Sequence, residues 1–262
     1  MVATLIDTHI HLDFEVYDLD RAEVIARSRA AGVERIISVG AGGGIASTRR
    51  ALSLAEQYPE VYASVGVHPQ DAAQEIDREE IRRLASHPRV VAIGETGLDF
   101  FRDFAPRDKQ YEWFEWQIAL AREIKKPLII HSRDAGEDSL RTLRDHGGGE
   151  VRGVYHCYSE DAAFAVRLRE IGFLVSFTGV VTFKKADALR QIIRDIPLDQ
   201  IMLETDGPYM APEPYRGKRA ESAHVVEMAR VVASVKGVSF EEVCRVTTAT
   251  AENLFNLQGD TR

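Results

Sequence analysis

Short runs of β-branched and other apolar residues alternate along the chain with longer segments in which apolar residues recur at helical spacing. The short runs predict eight strands: Ala3–Asp7, Arg35–Val39, Val61–Gly66, Val90–Ile93, Leu128–Ile130, Gly153–Tyr155, Phe173–Phe177 and Gln200–Leu203. The longer segments predict intervening helices: Leu19–Ala31, Ile45–Gln57, Asp77–Ser86, Arg107–Ile124, Asp138–His146, Glu160–Ile171 and Lys184–Asp195. Gly or Pro stands where most of these helices should end.

Regular alternation of strand and helix indicates a parallel sheet with helices outside it. Eight such units in a chain of 262 residues predict a closed (β/α)8 barrel, also called a TIM barrel. The alternative is an open doubly wound sheet, which the count of eight units disfavours. Two further helical segments, Glu221–Val235 and Ser239–Phe255, close the chain. Because no internal repeat or long linker interrupts the pattern, we expect one domain over residues 1–262.

The composition adds limits on location and partners. The net charge is −8 and 45% of the residues are hydrophobic, as in soluble globular proteins. Two cysteines exclude a disulfide framework and a four-cysteine zinc site. No apolar run approaches the ~20 residues that cross a bilayer, and the N-terminus does not resemble a signal peptide. We therefore expect a cytoplasmic monomer that binds no membrane and does not coat nucleic acid through charge alone.

Histidines concentrate where chemistry occurs in this fold. Five of the eight histidines follow predicted strands, and Glu95 and Asp206 follow the fourth and eighth strands. The carboxyl ends of barrel strands form the reactive face. Imidazoles and carboxylates that converge on one face are typical divalent-metal ligands. The five histidines are His9, His11, His68, His131 and His156.

Six of these side chains form the predicted ligand set. His9 and His11 are two residues apart, so they share a face of an extended segment. Six ligands exceed the three or four protein groups of a single catalytic zinc and suit two ions bridged by Glu95. The two ions would activate a water as the hydrolytic nucleophile. Asp206 is expected to bind one ion and also to orient that water or take its proton. The set is His9, His11, Glu95, His131, His156 and Asp206.

Longer sequence blocks then point to a family. The chain resembles the TatD-type metal-dependent deoxyribonucleases, within the wider group of amidohydrolase-like barrels. The matching blocks lie in the family's order along nearly the whole chain: IDTHIHLD, SVGVHP, AIGETGLDF, PLIIHSRDA, YHCYSE, LETDGPYMAPEPYRGKR and VTTATAENLFNL.

The resemblance implies a two-metal phosphodiesterase centre acting on DNA. By the family pattern, His9, His11 and Asp206 hold one ion, and Glu95 is shared between the two. His131 and His156 hold the second ion, while His68 contacts the scissile phosphate or assists proton transfer. The implied activity is a magnesium-dependent 3′→5′ exonuclease acting on single-stranded or damaged DNA. Zn, Mn, Co and Ni are alternative bound metals, and RNA or misacylated tRNA are alternative substrates.

Basic residues in the loops after the strands are candidates for phosphate contact. They are Arg133 after strand five, and Arg216 and Lys218 after strand eight, where barrels often bind phosphate. Four positions depart from the family pattern without touching a predicted ligand: Thr96, Tyr158, Glu160 and Ala220. These departures bear on substrate preference. Two other functions therefore stay open: an ester or amide hydrolase with the same metal centre, and a non-catalytic nucleic-acid-binding module.

Overall fold

The structure is a computed structural model that describes residues 4–102 and 104–257. Its strands are β1 Leu5–Ile10, β2 Val33–Gly40, β3 Val61–Val65, β4 Val90–Asp99, β5 Leu128–Arg133, β6 Gly153–Tyr155, β7 Phe173–Phe177 and β8 Ile201–Leu203. Its α-helices are α1 Arg21–Ala30, α2 Gly44–Gln57, α3 Arg78–Ala85, α4 Arg107–Ile124, α5 Gly136–Gly147, α6 Ala162–Glu170, α7 Asp187–Asp195, α8 Val225–Lys236 and α9 Phe240–Phe255.

The eight strands form one parallel sheet in the order of the sequence. A parallel bridge between Ile10 and Gly207 brings the chain after β8 alongside β1. Sequential order and this contact between the first and last strands define a (β/α)8 barrel. The predicted fold class is confirmed, and the open doubly wound alternative is wrong because its strand order would not follow the sequence.

The closure between β8 and β1 positions three predicted ligands. The backbone N–H of Asp206 donates to the carbonyl of His9 at 2.9 Å, and that of His11 donates to the carbonyl of Gly207 at 2.8 Å. Buried Asp7 accepts hydrogen bonds from the backbone N–H and the hydroxyl of Thr205, at 2.9 and 2.7 Å. These hydrogen bonds within the protein hold His9, His11 and Asp206 in fixed positions relative to one another.

Three strands run further than the sequence predicts. The strands β1, β4 and β5 extend to Ile10, Asp99 and Arg133, and the predicted start of the first strand, Ala3, lies outside the described residues. Pairing continues through the polar segment, since Gly97 pairs with His131 and Asp99 with Arg133. Backbone hydrogen bonds thus maintain the strand after the apolar pattern has ended.

The helices also differ from their predicted bounds at several ends. Leu19 is fully exposed and precedes α1, which begins at Arg21. The predicted helix Glu221–Val235 is a 3₁₀ turn, Ser222–His224, followed by α8. Side-chain caps mark other starts correctly: Asp77 accepts from the N–H of Glu79 before α3, as side chains at this position commonly do.

Burial follows from the layering of strands inside helices. Apolar side chains from the strands and from the inner helix faces form two core clusters, and the larger one has Ile10, Phe114 and Phe177 among its most buried members. At the carboxyl ends of the strands the buried residues become polar, including His9, Glu95 and Asp206. Among the described residues, no helix combines the length and the apolar character needed to span a membrane.

Candidate metal centre

The structure brings all six predicted ligands to one end of the barrel. Their donor atoms fall into three overlapping groups, and within each group the atoms lie within 4.8 Å of one another. The groups also include His68, which the family resemblance assigns to the substrate. They are His9 with His11 and Asp206, His9 with Glu95 and His156, and His68 with Glu95 and His131.

Glu95 lies at the centre of these groups and separates the histidines into two sets. Its Oε2 is 3.5 Å from Nε2 of His9 and 3.9 Å from Nε2 of His11. Its Oε1 is 2.8 Å from Nδ1 of His131 and 2.8 Å from Nε2 of His156. A carboxylate that presents one oxygen to each of two donor sets has the geometry of a bridging ligand.

Asp206 completes the first set. Its Oδ1 lies 3.6 Å from Nε2 of His11 and 3.8 Å from Nε2 of His9. The Asp206 backbone adopts the left-handed region with φ of 51°, a conformation that aspartate tolerates better than most residues. The carboxylate therefore faces the two β1 histidines across the barrel closure.

Unpaired nitrogens support a metal-binding role for this cluster. Both ring nitrogens of buried His9, and Nδ1 of His156, lack a hydrogen-bond partner among the described residues. The two rings stack with centroids 4.1 Å apart. A buried polar atom without a partner is costly, and a divalent cation would satisfy the unpaired Nε2 of His9, which faces Glu95 and Asp206. The mixture of imidazole and carboxylate donors suits such a cation.

Glu95 and the histidines around it stabilise each other's charged forms. Burial by itself raises the pKa of Glu95, but the charges of His156 and His68 and hydrogen bonds from His131 outweigh it and hold that pKa well below its ordinary value. Burial likewise lowers the pKa of His156, and the carboxylates of Glu95 and Glu204 reverse this effect. Glu95 is therefore an anion, which is the form that binds a metal.

His68 lies closer to the predicted ligands than its assigned role requires. Its Nε2 is 3.3 Å from Nδ1 of His131 and 3.6 Å from Oε1 of Glu95. Its Nδ1 accepts a hydrogen bond from the N–H of Gln70 at 3.1 Å, which fixes the orientation of the ring. His68 can thus serve the metal as well as the substrate.

Two buried carboxylates lie next to the rings of His156 and His131 and hold them in place. Glu204 accepts from the N–H of Cys157 and the hydroxyl of Ser176, each at 2.6 Å, and one of its oxygens lies 3.5 Å from Nδ1 of His156. Sequence reasoning missed Glu204; its signal was a position directly after β8, two residues before Asp206. Groups that orient a ligating histidine in this way strengthen metal binding.

The second supporting carboxylate is Asp99 at the end of β4. It lies 3.3 Å from Nε2 of His131 and accepts a hydrogen bond from the side chain of Gln70 at 2.6 Å. Its other oxygen accepts from the N–H groups of Phe101 and Arg102, at 3.1 and 2.9 Å. Burial raises the pKa of Asp99, but these hydrogen bonds hold it below its ordinary value. Asp99 therefore ties the loop after β4 to the metal cluster.

The predicted phosphate contacts lie outside the donor groups. Arg133 stands two residues after His131 on β5, and its guanidinium lies 4.0 Å from the ring centroid of Phe101. Arg216 lies 4.3 Å over the ring of Phe183, and Lys218 is exposed. None of these three cations belongs to the donor groups found in the described residues.

The departures from the family pattern have local structural roles. Buried Thr96 accepts a hydrogen bond from Gln117 at 2.6 Å. Tyr158 donates to the carbonyl of Asp161 at 2.6 Å, and the carbonyl of buried Ala220 accepts from the hydroxyl of Tyr17 at 2.6 Å.

Glu160 is the departure that changes the electrostatics. Its pKa is raised by partial burial and by the neighbouring charges of Asp161, Asp134 and Glu137. Glu160 and these acidic neighbours follow β5 and β6, on the face of the barrel that carries the histidines.

A (β/α)8 barrel that gathers imidazoles and carboxylates at the carboxyl ends of its strands defines the class of metal-dependent hydrolase barrels. The family model described as TatD related DNase matches residues 6–256. The chain belongs to this family and is a metal-dependent hydrolase, as the sequence resemblance predicts.

Known relatives span the whole fold. An uncharacterized metal-dependent hydrolase, YabD of Bacillus subtilis, is 43% identical over 97% of this chain and 99% of its own length. The 3′-5′ ssDNA/RNA exonuclease TatD of a Rahnella strain is 34% identical over 95% of this chain and 97% of its own. The crystal structure of YJJV, a TatD homologue from Escherichia coli, is 28% identical with a TM-score of 0.87, covering 98% of this chain and 99% of that one.

Proposed function

We propose that the protein is a two-metal nuclease that removes nucleotides from single-stranded or damaged DNA in the 3′→5′ direction. The observation that carries this proposal is the position of Glu95, whose two oxygens face separate sets of histidines. Two ions held by such a carboxylate would stabilise the attacking and leaving oxygens of a phosphodiester. The Rahnella relative, named as an ssDNA/RNA exonuclease, supports the same substrate class.

Each side chain takes a defined part in this proposal. His9, His11 and Asp206 would hold one ion and His131 and His156 the other, with Glu95 shared. His68 lies 3.6 Å from Oε1 of Glu95, where it can contact the scissile phosphate or donate a proton to the leaving oxygen. Magnesium is the expected activating metal, while the imidazoles also suit Zn, Mn, Co or Ni.

The protein's own groups supply proton transfer and orientation. When bound, divalent ions lower the pKa of a water nucleophile and stabilise charge on the phosphate. Asp206 is expected to orient that water and accept its proton, because its carboxylate faces the β1 histidines. Glu204 and Asp99 hold the rings of His156 and His131, so that the ligands need little rearrangement during turnover.

Phosphates beyond the scissile bond would meet the basic residues of the same face. Arg133 on the ring of Phe101 offers a cation beside an aromatic surface, which suits single-stranded nucleic acid. Arg216 and Lys218 are expected to contact the strand from the loop after β8. The charged groups around Glu160 would repel a polyanion, so the strand is expected to leave on the side of these cations.

The test uses single-stranded DNA oligonucleotides labelled at the 3′ or the 5′ end, incubated with Mg²⁺, Mn²⁺ or EDTA. We expect the wild type to shorten the 5′-labelled strand stepwise with a divalent metal and to leave it intact in EDTA. Glu95→Ala should abolish the activity, because the two donor sets lose their shared ligand. His146→Ala provides the matched control, since its side chain is exposed on α5.

Three results would contradict the proposal. Oligonucleotides that stay intact with every metal, together with bound metal in elemental analysis, would favour the ester or amide hydrolase. Unchanged cleavage by Glu95→Ala would exclude the bridging role of this residue. A non-catalytic binding module would instead show DNA binding that persists in EDTA and weakens steeply with salt.

A further inference from the structure

A cavity of about 520 Å³ opens beside the candidate metal centre. Its walls come from the loops at the carboxyl ends of β1, β2 and β8 and from the start of α2. Its volume falls in the range of small-molecule sites in proteins. The lining of the cavity includes Asp13, Phe14, Ser47, Arg50 and Tyr209.

Two aromatic rings of this cavity touch the predicted ligands directly. The ring of Phe14 stacks on the imidazole of His11, with centroids 4.7 Å apart and planes inclined by 21°. The ring of Tyr209 stands nearly perpendicular to that of Phe14, at 85° and 6.4 Å. The N–H of Tyr209 donates to the carbonyl of Asp206 at 3.0 Å. Both rings are thus fixed to residues of the metal cluster.

Asp13 forms a buried part of the cavity wall and is held there by Ser47 and Arg50. Asp13 is 1% exposed, and its Oδ2 accepts a hydrogen bond from the hydroxyl of Ser47. Its Oδ1 is buried and has no hydrogen-bond partner among the described residues. Arg50 donates to the backbone carbonyl of Asp13 at 2.8 Å and pairs with Asp18 at 2.7 Å, so it leaves this oxygen unpaired.

We propose that this cavity binds the base of the nucleotide adjacent to the scissile phosphate. The proposal rests on the proposed nuclease function and adds a subsite to it. The flat face of a base matches the aromatic walls formed by Phe14 and Tyr209. Contact between Phe14 and His11 places the base within one nucleotide of the metals.

A purely apolar occupant fits this cavity less well. An alkyl or acyl group has no π-face, so it would gain less than a base from the rings of Phe14 and Tyr209. An abasic sugar phosphate likewise offers no flat face to these rings. The structure therefore favours substrates that carry a base at this position.

The experiment compares equilibrium binding of 2′-deoxyadenosine 5′-monophosphate with that of 2-deoxyribose 5-phosphate, by calorimetry on Mn²⁺-loaded protein. We expect the wild type to bind the nucleotide about tenfold more tightly than the sugar phosphate, since this ratio lies within the range that base stacking on an aromatic ring contributes. Phe14→Leu keeps an apolar side chain of similar size but removes the ring, so the ratio should fall towards one.

Phe104→Leu is the matched control, because Phe104 is an exposed ring that does not line the cavity; it should keep the tenfold ratio. A ratio near one in the wild type, or a preserved ratio in folded Phe14→Leu, would overturn the proposal. Base-dependent binding without cleavage of any oligonucleotide would retain the subsite and contradict the nuclease. Cleavage without base-dependent binding would do the reverse.

Discussion

The residues of the cluster are of two kinds: candidate metal ligands, and residues that hold those ligands in place. Glu95 belongs to the first kind, because its two oxygens face different histidines. Glu204 belongs to the second kind, because both of its oxygens accept hydrogen bonds from protein groups while one also lies near His156. The distinction predicts different consequences for the loss of each carboxylate.

Glu204→Gln is expected to weaken metal binding about 10- to 100-fold, since the ring of His156 loses an anionic partner. Calorimetric titration with Mn²⁺ measures this loss. Excess metal should restore part of the turnover, which would not happen if the variant were simply misfolded. Glu241→Gln, on an exposed residue at the start of α9, is the control and should bind metal as the wild type does. Equal affinity in both variants would exclude the positioning role.

The candidate ligands could be picked out at the residue scale because their sequence signal is local. His9 and His11 are two residues apart, and each remaining ligand follows a recognisable apolar run. Glu204 escaped prediction because its role depends on Ser176 and Cys157, which come from β7 and the end of β6. Such contacts between distant segments are set by tertiary packing and leave no periodic signal in the sequence.

At the scale of elements, β1 and β4 carry His9 and Glu95 at the points where their pairing shifts register. The apolar pattern of β4 ends before Glu95, yet pairing with β5 continues to Asp99. The pattern therefore placed the ends of β1, β4 and β5 too early, although it counted all eight strands correctly. Polar side chains are tolerated there because they face one another at the mouth of the barrel, where a metal can satisfy them.

Close contact between β4 and β5 makes Gly97 a sensitive position. A Cβ at Gly97 would lie 2.0 Å from the carbonyl oxygen of His131, at a φ of +137°. Gly97→Ala should therefore lower the free energy of unfolding by about 3 kcal/mol or more, since both a clash and backbone strain arise. Urea unfolding followed by circular dichroism measures the change.

Gly149→Ala is the matched control for this prediction. Gly149 also has a positive φ, +72°, but a Cβ there would meet nothing within 4 Å. It should lose only the backbone term, about 1 kcal/mol. Equal destabilisation of the two variants would show that contact with β5 contributes nothing at Gly97.

The whole molecule combines a closed barrel with a cluster of ionisable groups at one end. The eight-unit count and the size of the chain sufficed to predict the barrel, because this topology follows from the order of elements alone. The cavity at Phe14 and Tyr209 could not be predicted, since it depends on how three loops meet. One domain over 1–262, a monomeric state and a cytoplasmic location stay predictions.

Metal binding should raise the stability of the folded chain, because the donor groups come together only after folding. At a metal concentration about 100 times the dissociation constant, the gain is about 2.7 kcal/mol, or roughly 5–10 °C in Tm for a chain of this size. Differential scanning fluorimetry with Mn²⁺ or EDTA measures the shift. Asp206→Asn should lose much of it, while His146→Ala should keep it; no shift in the wild type would argue against a metal centre.

In the proposed centre, the carboxylate of Glu95 joins two metal ions. Electron paramagnetic resonance of Mn²⁺-saturated protein tests it most directly, because ions that share Glu95 are magnetically coupled, whereas separate ions are not. We predict a coupled spectrum for the wild type and an isolated-ion spectrum for Glu95→Gln, with His146→Ala unchanged. An isolated-ion spectrum from the saturated wild type would contradict the two-metal account.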